Sequence, residues 1–455
     1  MLAPASPKVG TAGSGRDWLH PALRLINILN GPGFVVLAEA GRQAGAGGAV
    51  VLVTAFAALA AFASRRACAI AREAETHKIE GGGGDLAGPC RTLYGERGAQ
   101  VAAAACATAL LACAVAQIIL CVQLADALEE ALTGKRCGFV VRAPSLEHGG
   151  AFFYAGCRPA SEPLPTPALE ASLGVVVTLC LARLARRMES TGSAKPQIVG
   201  FICFCLGAWR WASYLHRETI SARAVAWLGP DPLKAAPAVC FNFACVLAVP
   251  PLALRGRSDP AARGASAGIG FMALVYVVMA LLGARGAPTA PSADALLATG
   301  HPGDVLAVLF LFVSQLAAIP TYLAGADGLV KAHLAPRAAA SLASITAWGL
   351  AVAAHESELF AALVDWTSLL LLGFTNFSLP LVLDVAWGHP MPGTGSIALR
   401  RLSRALASLT VAGFATLVFR EAGAPWYVLA AIAGAAVGSP LPSGRVRRDS
   451  GETEV

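Results

Sequence analysis

The chain predicts an all-α polytopic membrane protein with about eleven transmembrane helices, arranged as a five-plus-five inverted repeat with broken helices 1 and 6. Three observations point to a membrane bundle. Of its 455 residues, 56% are hydrophobic and only 14% are charged, whereas soluble domains carry about 25% charged residues. Mean hydropathy is +0.61. Apolar runs long enough for spans of about 20 residues recur along the whole chain. They are continuous rather than alternating in polarity, which excludes a β-barrel.

The first twenty residues are small and polar, with no apolar core ahead of a cleavage site. No cleavable signal peptide is expected, and insertion would begin with the first span. The runs place spans near 20–41, 47–64, 99–128, 169–185, 197–215, 235–254, 266–284, 303–325, 338–354, 359–386 and 401–420. A shorter run, 424–438, fits a short twelfth span, a re-entrant piece or a helix lying on the surface. The organisation is then a cytosolic tail over 1–19, a single transmembrane domain over 20–438, and a polar C-terminal tail over 439–455. Gly81–Gly84 is a flexible stretch, and the proline-rich Pro159–Pro167 joins the longest outer loop to span four; neither marks a domain boundary.

The net charge of +7 could suggest nucleic acid. Its lysines and arginines sit in short loops between spans, which is the signature of membrane orientation. With the N-terminus in the cytosol, inner segments hold roughly twice as many of them as outer segments. The partner implied is a lipid bilayer, not nucleic acid. Plasma membrane and endomembrane locations (vacuole, lysosome or vesicle) both fit.

Most of the twelve cysteines lie inside apolar runs, where they serve as small packing residues, and no CxxC pair exists. The histidines lie in the tail, in loops or near span ends. No metal centre, redox centre or other cofactor is expected, and no catalytic residue: there is no clustered His/Asp/Glu set, nucleophile motif or phosphate loop. Cys137 and Cys157 are the two cysteines in outer loops and share one loop, so they are disulfide candidates in an oxidising space.

Span one carries Asn27, Asn30, Gly31, Pro32 and Gly33. Proline removes a backbone donor, two glycines lower helix stability, and two amides need partners in lipid. Such a cluster fits either a proline kink with glycines for close packing or a helix broken where it lines a cavity. Span six pairs with it: Asn242 lies mid-span, and Pro250-Pro251 interrupts the helix near its cytosolic end. Paired interruptions in corresponding spans of two repeats point to the binding site of a secondary transporter.

Asn27-x-x-x-Gly31-x-Gly33-x-x-x-Leu37, followed by Gln43-Ala44-Gly45, resembles the first-span signature of the amino acid/auxin permease superfamily. That superfamily includes the vesicular inhibitory amino acid, system A/N and proton-coupled amino acid transporters. Phe241-x-Phe243-Ala244-Cys245 followed by Pro250 is similar to its sixth-span segment. Ile319-Pro320 and Leu379-Pro380 resemble its proline motifs in spans eight and ten. The resemblance covers roughly residues 20–420. It implies a substrate held between spans one, six, three and eight. Amides near Gly31 and Gly33 would receive a carboxylate, helped by the positive end of the outer half-helix. Carbonyls near Phe241–Ala244 would receive an α-amino group, and Phe243 and Cys245 would choose the side chain.

The chain departs from the pattern at Ala38, Glu39 and Val246-Leu247. Leu316, Ala317 and Ala318 stand where sodium-coupled members place a hydroxyl, with only Ser314 and Thr321 near Pro320. Sodium wants oxygen ligands, so the departures favour proton coupling or facilitated exchange. They also leave open a transport-deficient sensor or scaffold that keeps the fold. The expected partners are a small amino acid and a coupling proton.

Ionisable groups within spans default to functional hypotheses. Glu39 fits a proton-accepting or gating carboxylate, or a solvated carboxylate in a wet vestibule. Arg210, flanked by Trp209 and Trp211, fits an interfacial anchor or a gate partner. Asp126 and Asp327 are expected to be solvated.

Overall fold

The structure, a computed structural model, describes residues 17–31, 33–76, 84–142, 152–159, 168–190, 194–219, 226–253, 258–285, 293–334, 342–354, 367–387 and 396–421. The run 424–438, the polar C-terminal tail, most of the N-terminal tail, most of the Gly81–Gly84 stretch, most of Pro159–Pro167 and the expected starts of spans nine and ten lie outside them. The chain is an all-α polytopic membrane protein. Among the described residues, six helical stretches are long and apolar enough to cross a membrane.

Span one is two pieces. Helix α1 (Leu19–Leu29) stops at Asn30, whose ψ of 62° leaves the helical region. Helix α2 (Gly33–Thr76) then holds the outer half of span one and all of span two, separated at Gly45, where φ is 74° and ψ is 170°. A Cβ at Gly45 would stand 2.4 Å from the amide nitrogen of Gly229. The extended stretch before span six docks on this corner: Ala46 and Gly47 donate to the carbonyls of Ala226 and Trp227, and Gly229 donates back to Ala44 at 2.9 Å. The Gln43-Ala44-Gly45 motif is thus explained by the corner it forms.

Helix α3 (Ala87–Thr133) breaks once at Gly95 and ends at left-handed Gly134, whose N–H donates to the Glu130 carbonyl. The outer loop that follows is folded. Strands β1 (Lys135–Arg142), β2 (Phe152–Pro159) and β3 (Ala168–Ser172) form an antiparallel sheet in the order β2-β1-β3. Residues 169–172, expected to begin span four, are strand instead. A short apolar run does not distinguish strand from helix, and this one pairs with the free edge of β1. Cys137 stands opposite Cys157 in the β1–β2 register, and the two are disulfide-bonded.

Helices α4 (Leu173–Ser190) and α5 (Lys195–Thr219) complete the first half. Span six is a short 3-10 turn (Pro232–Ala235), α6 (Ala236–Asn242), a non-helical turn at 243–245, a second 3-10 turn (Val246–Ala248) and α7 (Pro250–Ala253). Helix α8 (Ser258–Ala284) is span seven, and α9 (Ala293–Leu297) precedes span eight. Span eight is α10 (Pro302–Leu316) and α11 (Ile319–Leu329), extended by a π turn (Val330–Leu334). It breaks at Ala317 and Ala318, because Pro320 offers no N–H and restarts the helix in its first turn. Helix α12 (Leu342–Ala354), a π-helical stretch (Ser368–Ser378) running into α13 (Leu379–Trp387), and α14 (Ser396–Glu421) follow.

Packing divides the bundle into two groups. Span seven lies along spans one and two, and span six packs against span two. Helix α3 runs through the other group, against α4, α10, α11 and α12. Span one resting on seven, as six rests on two, is the reciprocity an inverted repeat requires. The first group is tight: a Cβ on Gly41 would meet the Ala280 carbonyl oxygen at 1.9 Å, and one on Gly283 would meet that of Ala38 at 1.9 Å.

Several charges are more buried than their sequence positions suggest. Span two runs past its expected end, which carries Arg66 into the bundle to pair with Asp384, and Ser403 donates to the same carboxylate at 2.7 Å. Asp126 is not solvated; it is buried and accepts from the Gly174 amide at 3.0 Å. Asp327 pairs with Arg186 at 3.2 Å.

Candidate functional site

The breaks in spans one and six face one another across one side chain. The hydroxyl of Tyr276, on span seven, donates to the carbonyl oxygen of Leu29 and lies 3.2 Å from that of Asn242. These are the last helical residues of α1 and α6, whose carbonyls have no intrahelical partner. The hydroxyl of Tyr322, on span eight, donates to the carbonyl of Ile28 at 3.0 Å. On the far side of the break in span six, the Leu247 amide donates to Oδ1 of Asn376, on span ten, at 3.2 Å.

A chain of amides lies beside these carbonyls. Gln117 Nε2, on span three, donates to the Gln315 carbonyl at 2.8 Å and also to Gln315 Oε1. Gln315 Nε2 donates to Asn30 Oδ1 at 3.1 Å, Asn30 Nδ2 to Ser314 Oγ at 2.7 Å, and Ser314 Oγ to the Leu311 carbonyl at 2.8 Å. Each member is at most 1% exposed. Donors all run in one sense, an arrangement in which each bond polarises the next. Asn27 Nδ2 donates to the carbonyl and Oε1 of Gln197, on span five. Asn27 therefore meets span five, while Ser314 is taken by Asn30.

Three acceptors are left over. Asn27 Oδ1, Gln117 Oε1 and Asn242 Oδ1 are buried and receive no donor among the described residues. Gln117 Oε1 lies 3.8 Å from where a Cβ on Gly31 would be. A buried acceptor with no donor is costly, so such groups point to a function or a ligand.

The structure brings Asn30, Gly31, Ser314 and Asn242 to one region and puts Asn27 at its edge, against span five. The backbone there is more engaged than the sequence suggests. The Gly31 amide donates to the Leu29 carbonyl at 2.7 Å, and Gly33 begins the outer half-helix. In span six, the carbonyls of Cys240, Phe241, Phe243 and Cys245 accept turn bonds from Phe243, Ala244, Cys245 and Ala248. Phe243 packs edge-on against Tyr276 at 5.3 Å, and Phe241, Ala244 and Cys245 are buried. Thr321 and Pro320 are buried one turn past the break in span eight.

The charged candidates lie away from this centre. Glu39 accepts from Arg42 at 2.6 and 2.8 Å and from Gln43 at 2.8 Å, so its charge is met on its own helix. Arg210 faces inward rather than anchoring at the interface: its Nε donates to Asp304 at 2.5 Å, and Thr299 donates to the same carboxylate. Of its two neighbours, Trp211 is buried and Trp209 exposed.

Sequence reasoning missed Gln117, Gln197, Gln315, Tyr276, Tyr322 and Asp304. The glutamines did leave a signal. An uncharged amide inside an apolar span needs a partner, and three such residues in spans three, five and eight mark one interior surface.

No protein-family model matches the chain, and no curated protein matches it in sequence. Solved structures do match its fold. A manganese transporter of Eremococcus coleocola is similar at a TM-score of 0.60 and 12% identity, covering 96% of this chain and 96% of that one. A complex of that transporter with an aromatic bis-isothiourea compound gives a TM-score of 0.56 and 12% identity over 96% of this chain and 97% of that one. A nucleobase-cation-symport-1 family transporter, in a closed conformation with bromovinylhydantoin bound, gives 0.57 and 13% identity over 92% of this chain and 90% of that one. At these identities the likeness establishes a shared fold.

Proposed function

We propose that this chain is a secondary transporter that moves small amino acids or related zwitterions by alternating access, and that it is a distant member of the amino acid/auxin permease superfamily. One observation carries the proposal: the breaks in spans one and six meet at Tyr276, beside buried acceptors that lack donors. An α-ammonium group brings three N–H donors, and Gln117 Oε1 and Asn242 Oδ1 are acceptors suited to it. The carboxylate would then lie toward Gly31 and Gly33, at the N-terminus of the outer half-helix. Reaching it requires the Gly31 amide to exchange the Leu29 carbonyl for the substrate.

Alternating access supplies that exchange. The bonds Asn30–Ser314, Gln315–Asn30 and Tyr322–Ile28 all cross between the two packed groups. A rocking of spans one, two, six and seven against three, four, eight and nine would break them together. Arg210 and Asp304, joining spans five and eight at the outer end, are the gate pair of this scheme.

The donor set argues for a zwitterion rather than a divalent metal. The centre offers carbonyl, amide and hydroxyl oxygens but, among the described residues, no carboxylate to offset a divalent charge, which weighs against manganese. Coupling to a proton, or none, fits best because Ser314 Oγ is spent on Asn30 and the Leu311 carbonyl, which leaves Asn27 Oδ1 without a hydroxyl partner for sodium. A transport-deficient sensor with this fold is the second reading, favoured by the engaged Gly31 amide. Saturable uptake of a neutral amino acid by proteoliposomes separates the two. Its absence across the neutral amino acids, with intact protein, favours the sensor.

A further inference from the structure

A groove lies where spans four, eight and nine meet, apart from the amide network, and encloses about 350 Å³. Helix α4 lines it with Leu179, Ala182, Arg183 and Arg186, an i, i+3, i+4, i+7 face. Ser344, Ile345 and Trp348 of α12 stand opposite, over a floor that includes Pro320. The two arginines differ. Arg186 donates to Ser344 Oγ at 3.1 Å and to Asp327 Oδ2 at 3.2 Å. Arg183 is exposed and, among the described residues, makes no hydrogen bond or ion pair.

Its position makes that unusual. At 1.5 Å per residue, Arg183 sits about 15 Å along a helix of about 27 Å. Leu184 beside it is 53% exposed and Ile345 across the groove 64%, both apolar side chains turned outward in a membrane bundle. A guanidinium without a protein partner on a lipid-facing surface either snorkels to the headgroups or meets an anion. The groove supplies a setting for the anion: two cations i, i+3 apart, one of them met by a carboxylate, above an apolar wall. The same end of the bundle carries the excess of lysine and arginine assigned to the cytosol, the leaflet that holds anionic lipid.

We propose that this groove binds the phosphate headgroup of an anionic phospholipid of the cytosolic leaflet, with Arg183 and Arg186 on the phosphate and an acyl chain along Leu179, Ile345 and Trp348. Guanidinium matches phosphate in a two-pronged geometry that a single lysine does not provide. The occupant would rest on Pro320, against the break in span eight.

The test uses the full chain in nanodiscs of phosphatidylcholine containing either brominated phosphatidylglycerol or brominated phosphatidylcholine, with quenching at Trp348 taken as the difference from Trp348→Phe. The groove should show about a fivefold preference for the anionic lipid. Arg183→Gln should lose the preference, and Arg183→Lys should keep part of it. Inorganic phosphate in millimolar excess should not compete. Equal quenching by the two lipids, or an undiminished preference in Arg183→Gln, overturns the proposal. Competition by inorganic phosphate overturns the lipid assignment and makes the occupant a free anion.

Discussion

Asn30 Nδ2 donates to Ser314 Oγ at 2.7 Å and so ties the break in span one to span eight. Both groups are fully buried, and the Ser314 hydroxyl in turn donates to the Leu311 carbonyl. Ser314→Ala should leave a buried amide donor unmet, at a cost of about 1–3 kcal/mol. Thermal unfolding in detergent should register that loss, and Asn30→Ala with Ser314→Ala should cost less than the sum of the two singles. Strict additivity would show that the bond does not couple the spans.

Gly41 and Gly283 let spans one and seven touch backbone to backbone. A Cβ on Gly41 would stand 1.9 Å from the Ala280 carbonyl oxygen, and backbone does not give way as a flexible side chain does. Gly41→Ala should lower the unfolding midpoint and broaden the size-exclusion profile, with a cost of at least about 1–3 kcal/mol. Gly270→Ala, where nothing stands within 4 Å, is the matched control and should be near neutral.

The buried pair of Arg66 and Asp384 ties span two to spans ten and eleven. Arg66→Ala leaves Asp384 buried without its cation, which should cost about 3–5 kcal/mol. Arg66→Met with Asp384→Leu should recover most of it, because both charges then leave the interior together. A double variant no better than the single would mean that the pair does more than hold the spans.

The bundle was legible because continuous apolar runs mark spans whatever their neighbours, and the Asn-Gly-Pro-Gly cluster is a local sign of a break. The break in span eight was half legible: Pro320 was visible, but the turn before it depends on where its helix restarts. Strand β3 was not legible, since Ala168–Ser172 is strand only through its pairing with β1. Nor were the partners of buried polar groups. Asp384 lies 318 residues from Arg66, and Gln315 lies 198 from Gln117. Nothing local chooses such pairs. The Gly45 motif was read as part of a family signature, and its geometry gives it a structural task at the corner between spans one and two.

Coupling follows from how the hydroxyls and amides are spent. Asn27 Nδ2 donates to Gln197 while its Oδ1 receives no donor among the described residues, and Ser314 is spent on Asn30 and Leu311. Replacing sodium with choline should leave transport largely intact, while collapsing a pH gradient should reduce or leave unchanged its rate, according to whether the proton is coupled. A strict sodium requirement would mean that the ion finds oxygen ligands other than these.

In the proposed transport cycle the broken backbone between α1 and α2 receives the carboxylate of a zwitterion. The most direct measurement is uptake of radiolabelled neutral amino acids into proteoliposomes, comparing the chain with Gly33→Leu at equal reconstituted protein. Saturable uptake by the chain, loss of uptake in the variant and no competition by manganese are the expected results. Uptake by Gly33→Leu equal to that of the unaltered chain would contradict that cycle, as would manganese uptake that neutral amino acids do not inhibit.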